Sequence, residues 1–357
     1  MKRFAIFFVL AALLLCFGGC GREESGENNK TSESEVAMVT QTGGTDDEGF
    51  NQSMWEEVED YCGENNMTYA HYAPEEQTEE AYLAAVEKAV SKEAKLIIMC
   101  GSGLETAVYT AQSTYPDVNF LIVDGVPHDA QNNYAMGGNT ASVIFAEEEA
   151  GYLAGYAAVK DGYTSLGFMG GMETPAIKRY GYGFVQGAAA AAAEAETKID
   201  MRYMYAGTYE ESDEVRSTAA SWYKDGTQVI FACGGAMGES VIKAAENNDG
   251  KVIGVDVDQS GLSETVITSA EKGLGKAVEN VLKSYGRGSF PGGSAFNYTA
   301  RNDGVSLEIE NARFSSFSQE DYNKVFNSLK EGSIELKKDT DVDSVSQITG
   351  DWITIKQ

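Results

Sequence analysis

Phe50 and Asn51 stand at the end of a glycine-containing loop, Thr40-Gln-Thr-Gly-Gly-Thr-Asp-Asp-Glu-Gly-Phe-Asn-Gln-Ser-Met-Trp55, directly ahead of a helical pattern. An aromatic ring beside an amide at a helix start suits a planar ligand, with Phe50 stacking on its face and Asn51 hydrogen-bonding its edge. The same pair also suits helix building, Phe50 as a staple and Asn51 as a cap, and residue type favours neither role. A second aromatic, in Gly207-Thr-Tyr209, follows another strand pattern and could face Phe50 across a cleft. Gly254-Val-Asp-Val-Asp-Gln259 sets Asp256 and Asp258 at a strand end, where they could accept bonds from ligand hydroxyls. Lys272, after Thr268-Ser269, could balance those carboxylates.

Motifs for catalysis are missing. The sequence has no GxxxxGK[ST] to cradle phosphates, no GxSxG elbow for a nucleophile and no HExxH. Gly101-Ser-Gly103 follows a strand pattern but lacks the third glycine of a dinucleotide fingerprint. Its two histidines, His71 and His128, are isolated from each other in sequence. Asp46-Asp47-Glu48 could bind a cation, although an acidic turn in so acidic a chain is more often simply solvated. Cys62, Cys100 and Cys233 show no CxxC spacing, lie in or beside apolar segments and read as buried free thiols. No catalytic residue, cofactor or metal is therefore assigned.

The elements that must position these residues alternate in period. Short apolar runs at 36–40, 67–72, 95–100, 119–124, 165–169, 199–205, 228–233, 251–256 and 266–269 read as buried strands. Helical patterns lie between them. Ser53 to Glu56 has the form of a capping box, Tyr82, Val86, Ala89 and Val90 make a stripe, 145–160 puts Tyr152, Leu153 and Tyr156 on one face, and 188–193 is a run of alanines. Strand and helix in alternation predict an α/β protein with parallel sheets. The strands fall into two groups around Tyr134-Ala-Met-Gly-Gly-Asn139, each about the size of one doubly wound sheet. Such sheets bind ligands at the carboxyl ends of their strands, so the Gly, Asp and Asn residues there, Gly235 among them, are the ones to examine. Two facing edges would enclose a cleft.

The 357 residues suit two domains better than one, and 43% hydrophobic content supports real cores. A formal charge of −28 repels phosphate backbones and anionic lipids, which argues against nucleic-acid binding and polybasic membrane docking. Met1-Lys2-Arg3, the apolar run 4–17 and Gly18-Gly19-Cys20 form a secretory signal too short to span a membrane comfortably. Cys20 after two glycines resembles a lipobox, with Phe17 where Leu is usual, so residues 1–19 are expected to be removed and Cys20 lipidated. Residues 20–35, with no aliphatic or aromatic side chain after Cys20, read as a disordered tether.

Several segments together resemble the basic membrane protein (BMP) family: Asp46-Asp-Glu-Gly-Phe-Asn-Gln52, Tyr115-Pro-Asp-Val-Asn-Phe120, Phe168-Met-Gly-Gly-Met-Glu-Thr-Pro175 with Lys178-Arg-Tyr-Gly-Tyr-Gly183, Gly254-Val-Asp-Val-Asp-Gln259 and Thr268-Ser-Ala-Glu-Lys272. The resemblance covers about residues 36–305. These bacterial lipoproteins are substrate-binding components of ABC importers, typically for purine nucleosides. The resemblance implies a type I periplasmic-binding-protein fold, with two Rossmann-like lobes, a central cleft and three crossovers. The lobes are expected at 36–138 plus about 258–290 and at 139–257 plus about 291–357, residues 306–357 being the weakest part of the match.

It also implies roles. Phe50 matches the ring that stacks on the purine and Asn51 the amide on the base edge, while Tyr209 stands where a second stacking Phe is usual. Asp256 or Asp258 corresponds to the acid holding the ribose hydroxyls, Lys272 to the lysine beside it, and Glu105 to a carboxylate near the base. Asp46 and Gly235 complete the candidate contacts. Gln41 replaces a strand-end Asp associated with the ribose, which removes a charge and opens the choice of sugar. The implied protein is a monomer, held on the extracytoplasmic face of the cell membrane by its N-terminal lipid only, that gives purine nucleosides to ABC permease subunits. A binding protein for a sugar or signalling molecule is the alternative, with a Ca²⁺-dependent nucleoside hydrolase further off.

Overall fold

The computed structural model describes residues 33–41 and 44–357. The signal segment, Cys20 and most of the tether lie outside the described residues. Its last residues do not behave as tether: Ser34 is buried, and the Glu35 side chain accepts a 3.1 Å hydrogen bond from Tyr285 Oη.

The strand and helix periods resolve into thirteen strands and nine α-helices among the described residues. Those up to the first crossover are β1 (Val36–Val39), α1 (Phe50–Asn65), β2 (Tyr69–Tyr72), α2 (Glu79–Ser91), β3 (Leu96–Cys100), α3 (Glu105–Thr114), β4 (Asn119–Val123) and β5 (Thr140–Phe145). Next come α4 (Glu147–Lys160), β6 (Ser165–Gly170), α5 (Pro175–Glu194), β7 (Ile199–Tyr205), α6 (Asp213–Lys224), β8 (Val229–Cys233), α7 (Met237–Glu246), β9 (Lys251–Asp256) and β10 (Val266–Lys272). The chain ends with α8 (Leu274–Gly286), β11 (Ala295–Tyr298), β12 (Val305–Leu307), α9 (Gln319–Lys330) and β13 (Ile353–Lys356).

Two sheets result. One runs β11-β5-β4-β3-β1-β2, the other β12-β10-β9-β8-β6-β7-β13, and every pairing is parallel except the antiparallel β10–β12. All nine expected strands form. Every residue of β3 and of β8 is buried, as unbroken apolar runs covered by helices on both faces require. Residues 306–357 complete the second lobe, because β12 and β13 close its two edges.

The crossovers fall later than the expected 138/139, 257/258 and 290/291 boundaries. β5 belongs to the first sheet, so the chain first crosses at Ala146; β10 belongs to the second, so it returns at Gly273; β11 is in the first and β12 in the second, so it crosses again at 299–304. The glycine-bearing 134–139 stretch instead leads into β5, which hydropathy hides because Thr140 and Ser142 are polar although both are fully buried. The three crossings lie side by side: Ala146 N donates to Tyr298 O at 2.8 Å and Gly273 N to Gly304 O at 2.9 Å.

Two local features matter for the site. The expected capping box at Ser53 lies inside α1, which starts at Phe50; the Asp47 carboxylate takes the free N–H groups of Gly49, Asn51 and Gln52 at 2.9–3.1 Å. In the second lobe, α4 and α5 approach with glycine on both faces. A Cβ at Gly151 would lie 2.1 Å from Tyr180 O, and one at Gly183 2.0 Å from Glu148 O, so only glycine permits this spacing.

Candidate ligand-binding site

A cavity of about 260 Å³ lies between the carboxyl edges of the two sheets. The first lobe brings Gln41, Asp46, Asp47, Phe50, Asn51 and Asp124 to its wall, the second Thr174, Ile177, Tyr180, Tyr209, Gly235, Asp256 and Lys272. Each arrives for a local reason. The Asp47 cap fixes the first turn of α1, and with it Phe50 and Asn51. Tyr209 is set by its backbone carbonyl, which accepts from Met237 N at 2.8 Å at the start of α7. Its ring lies over Gly171, where a Cβ would come within 2.8 Å of Cδ1.

Lys272 centres the cavity floor. Its side chain is 2% exposed and Nζ bonds Asp124 of the opposite lobe, with Glu147 at 3.3 Å and Asp256 at 3.6 Å. Nζ also lies 5.4 Å from the Phe50 ring centre and 5.3 Å from that of Tyr180. Burial alone would lower the lysine pKa, yet Asp124, Asp256 and Glu147 together push it upward, so Lys272 stays charged. Burial raises Asp256, opposed chiefly by Lys272, and Tyr180 Oη donates to its Oδ1 at 3.1 Å. Glu147 is pushed up to about 7 by burial, against the pull of Lys272 and Arg179.

Asp124 and Asp256 are alike in placement: each follows or ends an apolar strand and has a left-handed backbone, with φ 59° and 68°. Asp tolerates that region better than most side chains, and such positions recur at ligand clamps. Asp124 Oδ1 is buried without a hydrogen-bond partner among the described residues. A buried acceptor left in that state favours whatever brings it an O–H or N–H. Two rings, an amide and a floor of carboxylates around one ammonium can bind a flat group and a hydroxylated group side by side.

Comparison with known proteins fixes the family. The Bmp family profile, described as ABC transporter substrate-binding protein PnrA-like, matches residues 34–340. The chain belongs to the Bmp family. Among relatives of Bmp-family type, the ABC transporter nucleoside-binding protein BmpA of Lactococcus lactis is 31% identical, covering 86% of this chain and 91% of its own. Basic membrane protein D of Borreliella burgdorferi is 29% identical over 95% and 96%. An ABC transporter solute-binding protein from Aeropyrum pernix superposes with a TM-score of 0.69 at 21% identity, over 88% of this chain and 90% of that one. This Bmp protein is accordingly a substrate-binding protein of an ABC transporter with a type I periplasmic-binding fold, and not an enzyme.

The structure brings Gln41, Asp46, Phe50, Asn51, Tyr209, Gly235, Asp256 and Lys272 to the cavity wall. It places Glu105 and Asp258 elsewhere. Glu105 accepts from Val126 N at 2.8 Å and meets His128 at 3.3 Å, bracing the turn after Asp124. Asp258 is exposed and holds the Ser260 N–H at 2.8 Å and the Asn311 amide at 2.9 Å, so of the two acids only Asp256 faces the ligand space. Asp124, Glu147 and Tyr180 were not singled out from sequence. For Asp124 a signal exists: Leu121-Ile-Val-Asp124 and Ile253-Gly-Val-Asp256 repeat one pattern in the two halves.

Proposed function

We propose that this Bmp-family protein is a lipoprotein, anchored through Cys20 on the extracytoplasmic face, that captures purine nucleosides such as inosine, guanosine and adenosine for an ABC importer. The observation that carries the reading is Phe50 and Tyr209, one aromatic from each lobe, lining a cavity whose floor joins Lys272 to Asp124 and Asp256. A purine fits between rings, while ribose hydroxyls donate to carboxylates and accept from the ammonium. Stacking contributes roughly 1–3 kcal/mol per base contact and each bond to a charged group roughly 1.5–3 kcal/mol. After ordering and association costs, a few of each support affinity of about micromolar or better.

Charge selects against nucleotides. Asp124 and Asp256 outnumber Lys272 at the floor, and Asp46 and Asp47 add to the rim, so a phosphate meets net repulsion. The Lactococcus relative is named a nucleoside-binding protein, which supports this reading.

Titration calorimetry with inosine, guanosine, adenosine, free ribose and inosine monophosphate tests the proposal. At least one nucleoside is expected to bind well above ribose and the monophosphate. Heat from ribose alone, or from none of the five, overturns it. Radiolabelled palmitate incorporated by the wild type and lost in Cys20→Ala checks the anchor.

A further inference from the structure

Glu147 does not line the cavity, yet its carboxylate faces a cation on each side. Oε1 lies 3.3 Å from Lys272 Nζ, and Oε2 lies 3.5 Å from Arg179 Nη1 on α5. Arg179 is gripped from behind by Asp339, in the segment after α9, whose Oδ1 accepts from Nε at 2.7 Å. Alternating charges therefore run from the cavity floor to the C-terminal segment: Asp124, Lys272, Glu147, Arg179, Asp339. The row is sheltered, with side-chain exposures of 8%, 2%, 1%, 20% and 12%. The family profile ends at residue 340, immediately after its last member.

We propose that Arg179, held by Asp339, is a positioning residue for ligand binding: by stabilising ionised Glu147, it governs how freely Lys272 can turn its N–H groups to the ligand. The inference rests on the nucleoside reading of the cavity. Lysine has three N–H donors, and three carboxylates surround this one. Glu147 alone of the three stands outside the cavity wall, so its share of Lys272 is withdrawn from the ligand.

Other charged and titratable neighbours have partners of their own, among them Glu271, beside Lys272 on β10, which accepts from Ser306 Oγ at 2.8 Å and is also pushed up to about 7 by burial. Asp256 on β9 and Tyr180 on α5 bond each other at 3.1 Å, Glu148 on α4 pairs with Lys338 at 2.8 Å, and Glu149 accepts from Ala300 N at 2.6 Å on the third crossover. Of the three acids around Lys272 Nζ, Glu147 is the one raised to about 7, burial dominating over Lys272 and Arg179. A bound nucleoside excludes water from the floor and disfavours ionised Glu147 further, so binding should be tighter on the acid side of that point and weaken above it. Removing Arg179 removes a cation that favours the ionised form, which moves the midpoint up.

Calorimetric titration of inosine, guanosine and adenosine across neutral pH tests this in the wild type, Glu147→Gln, Arg179→Met and Asp339→Asn. The wild-type affinity is expected to fall several-fold through a midpoint near 7. In Arg179→Met the midpoint should rise by roughly 1 pH unit, in Asp339→Asn by less, and in Glu147→Gln the step should vanish. A merely structural role would change affinity without moving the midpoint, so a fixed midpoint in Arg179→Met overturns the inference. If the wild type binds none of the three, the nucleoside reading fails on its own account. The thermal stability of the ligand-free chain against pH then decides the inference, with Glu147→Gln marking the share of the break near 7 that belongs to Glu147, because Glu271 is also pushed up to about 7: if Arg179→Met leaves that share in place the inference is overturned, and if it shifts that share upward the inference is supported.

Discussion

The two lobes share a fold and divide the work of the cleft unequally. The first lobe presents its ring and amide from the junction of a loop and α1, held by one carboxylate cap, and contributes Asp124 as its part of the Lys272 cluster. The second lobe carries the lysine, Asp256 and Glu147 on strand ends and helix starts, behind which α4 and α5 meet at glycine contacts with no slack. Most of the charge sits over this close helix contact, and a buried ion cluster tolerates little displacement before desolvation outweighs attraction. A stacked ring is more forgiving, since every base offers a π-face, and it can ride on a loop.

The most severe way to break this division is Lys272→Met, which leaves buried carboxylates without their cation. A loss of about 3–5 kcal/mol in combined stability and binding is expected, seen as a lower melting temperature and at least a hundredfold weaker nucleoside titration. Gly183→Ala probes the stiffness itself: with backbone 2.0 Å from the new Cβ, about 1–3 kcal/mol or more of stability should disappear in urea unfolding. Phe50→Ala and Tyr209→Ala should each weaken binding about tenfold with little change in melting temperature, confirming that the rings act on the ligand and not on the fold.

A pH series sharpens the contrast further. Glu147 has its folded pKa raised from 4.5 to about 7, so the folded state binds more protons than the unfolded state in that window. This group's share of ligand-free stability should therefore be greatest on the acid side and decline as pH rises from about 4.5 to about 7, and Glu147→Gln should reduce the overall decline, leaving the share of Glu271, which is also pushed up to about 7. The smallest effect belongs to Tyr209→Phe, which keeps the π-face and removes only the hydroxyl; its affinity should remain within about threefold of the wild type, well inside 1 kcal/mol.

Much of this was legible from residue type and period. Nine strands were visible as apolar runs, and the rings, Asn51, Asp256 and Lys272 stood at their ends. What escaped reading did so for physical reasons. β5 buries Thr140 and Ser142, with the Ser142 hydroxyl donating to Gly125 O at 2.6 Å, so hydropathy alone hides it. The start of α1 was misplaced because its cap reaches forward from Asp47 over a loop that spacing rules do not describe. Glu105 and Asp258 carry the right chemistry, and only the third dimension shows that it is directed at Val126, His128, Ser260 and Asn311. Asp124 shares its strand-end pattern with Asp256, but its role shows only in its pairing with a lysine 148 residues away.

Glu147 and Lys272 are the immediate chain neighbours of Ala146 and Gly273, two of the three hydrogen-bonded crossings. The ion cluster therefore sits at the fulcrum of the two lobes, while the Gln259 amide touches Glu48 O at 3.2 Å farther out on the lever. Rotation about such a fulcrum sweeps the outer contacts through a wide arc and hardly alters distances at the axis. Opening can thus strip the ligand of its rim contacts while the charges beneath keep their arrangement, ready for the next molecule without rebuilding the floor.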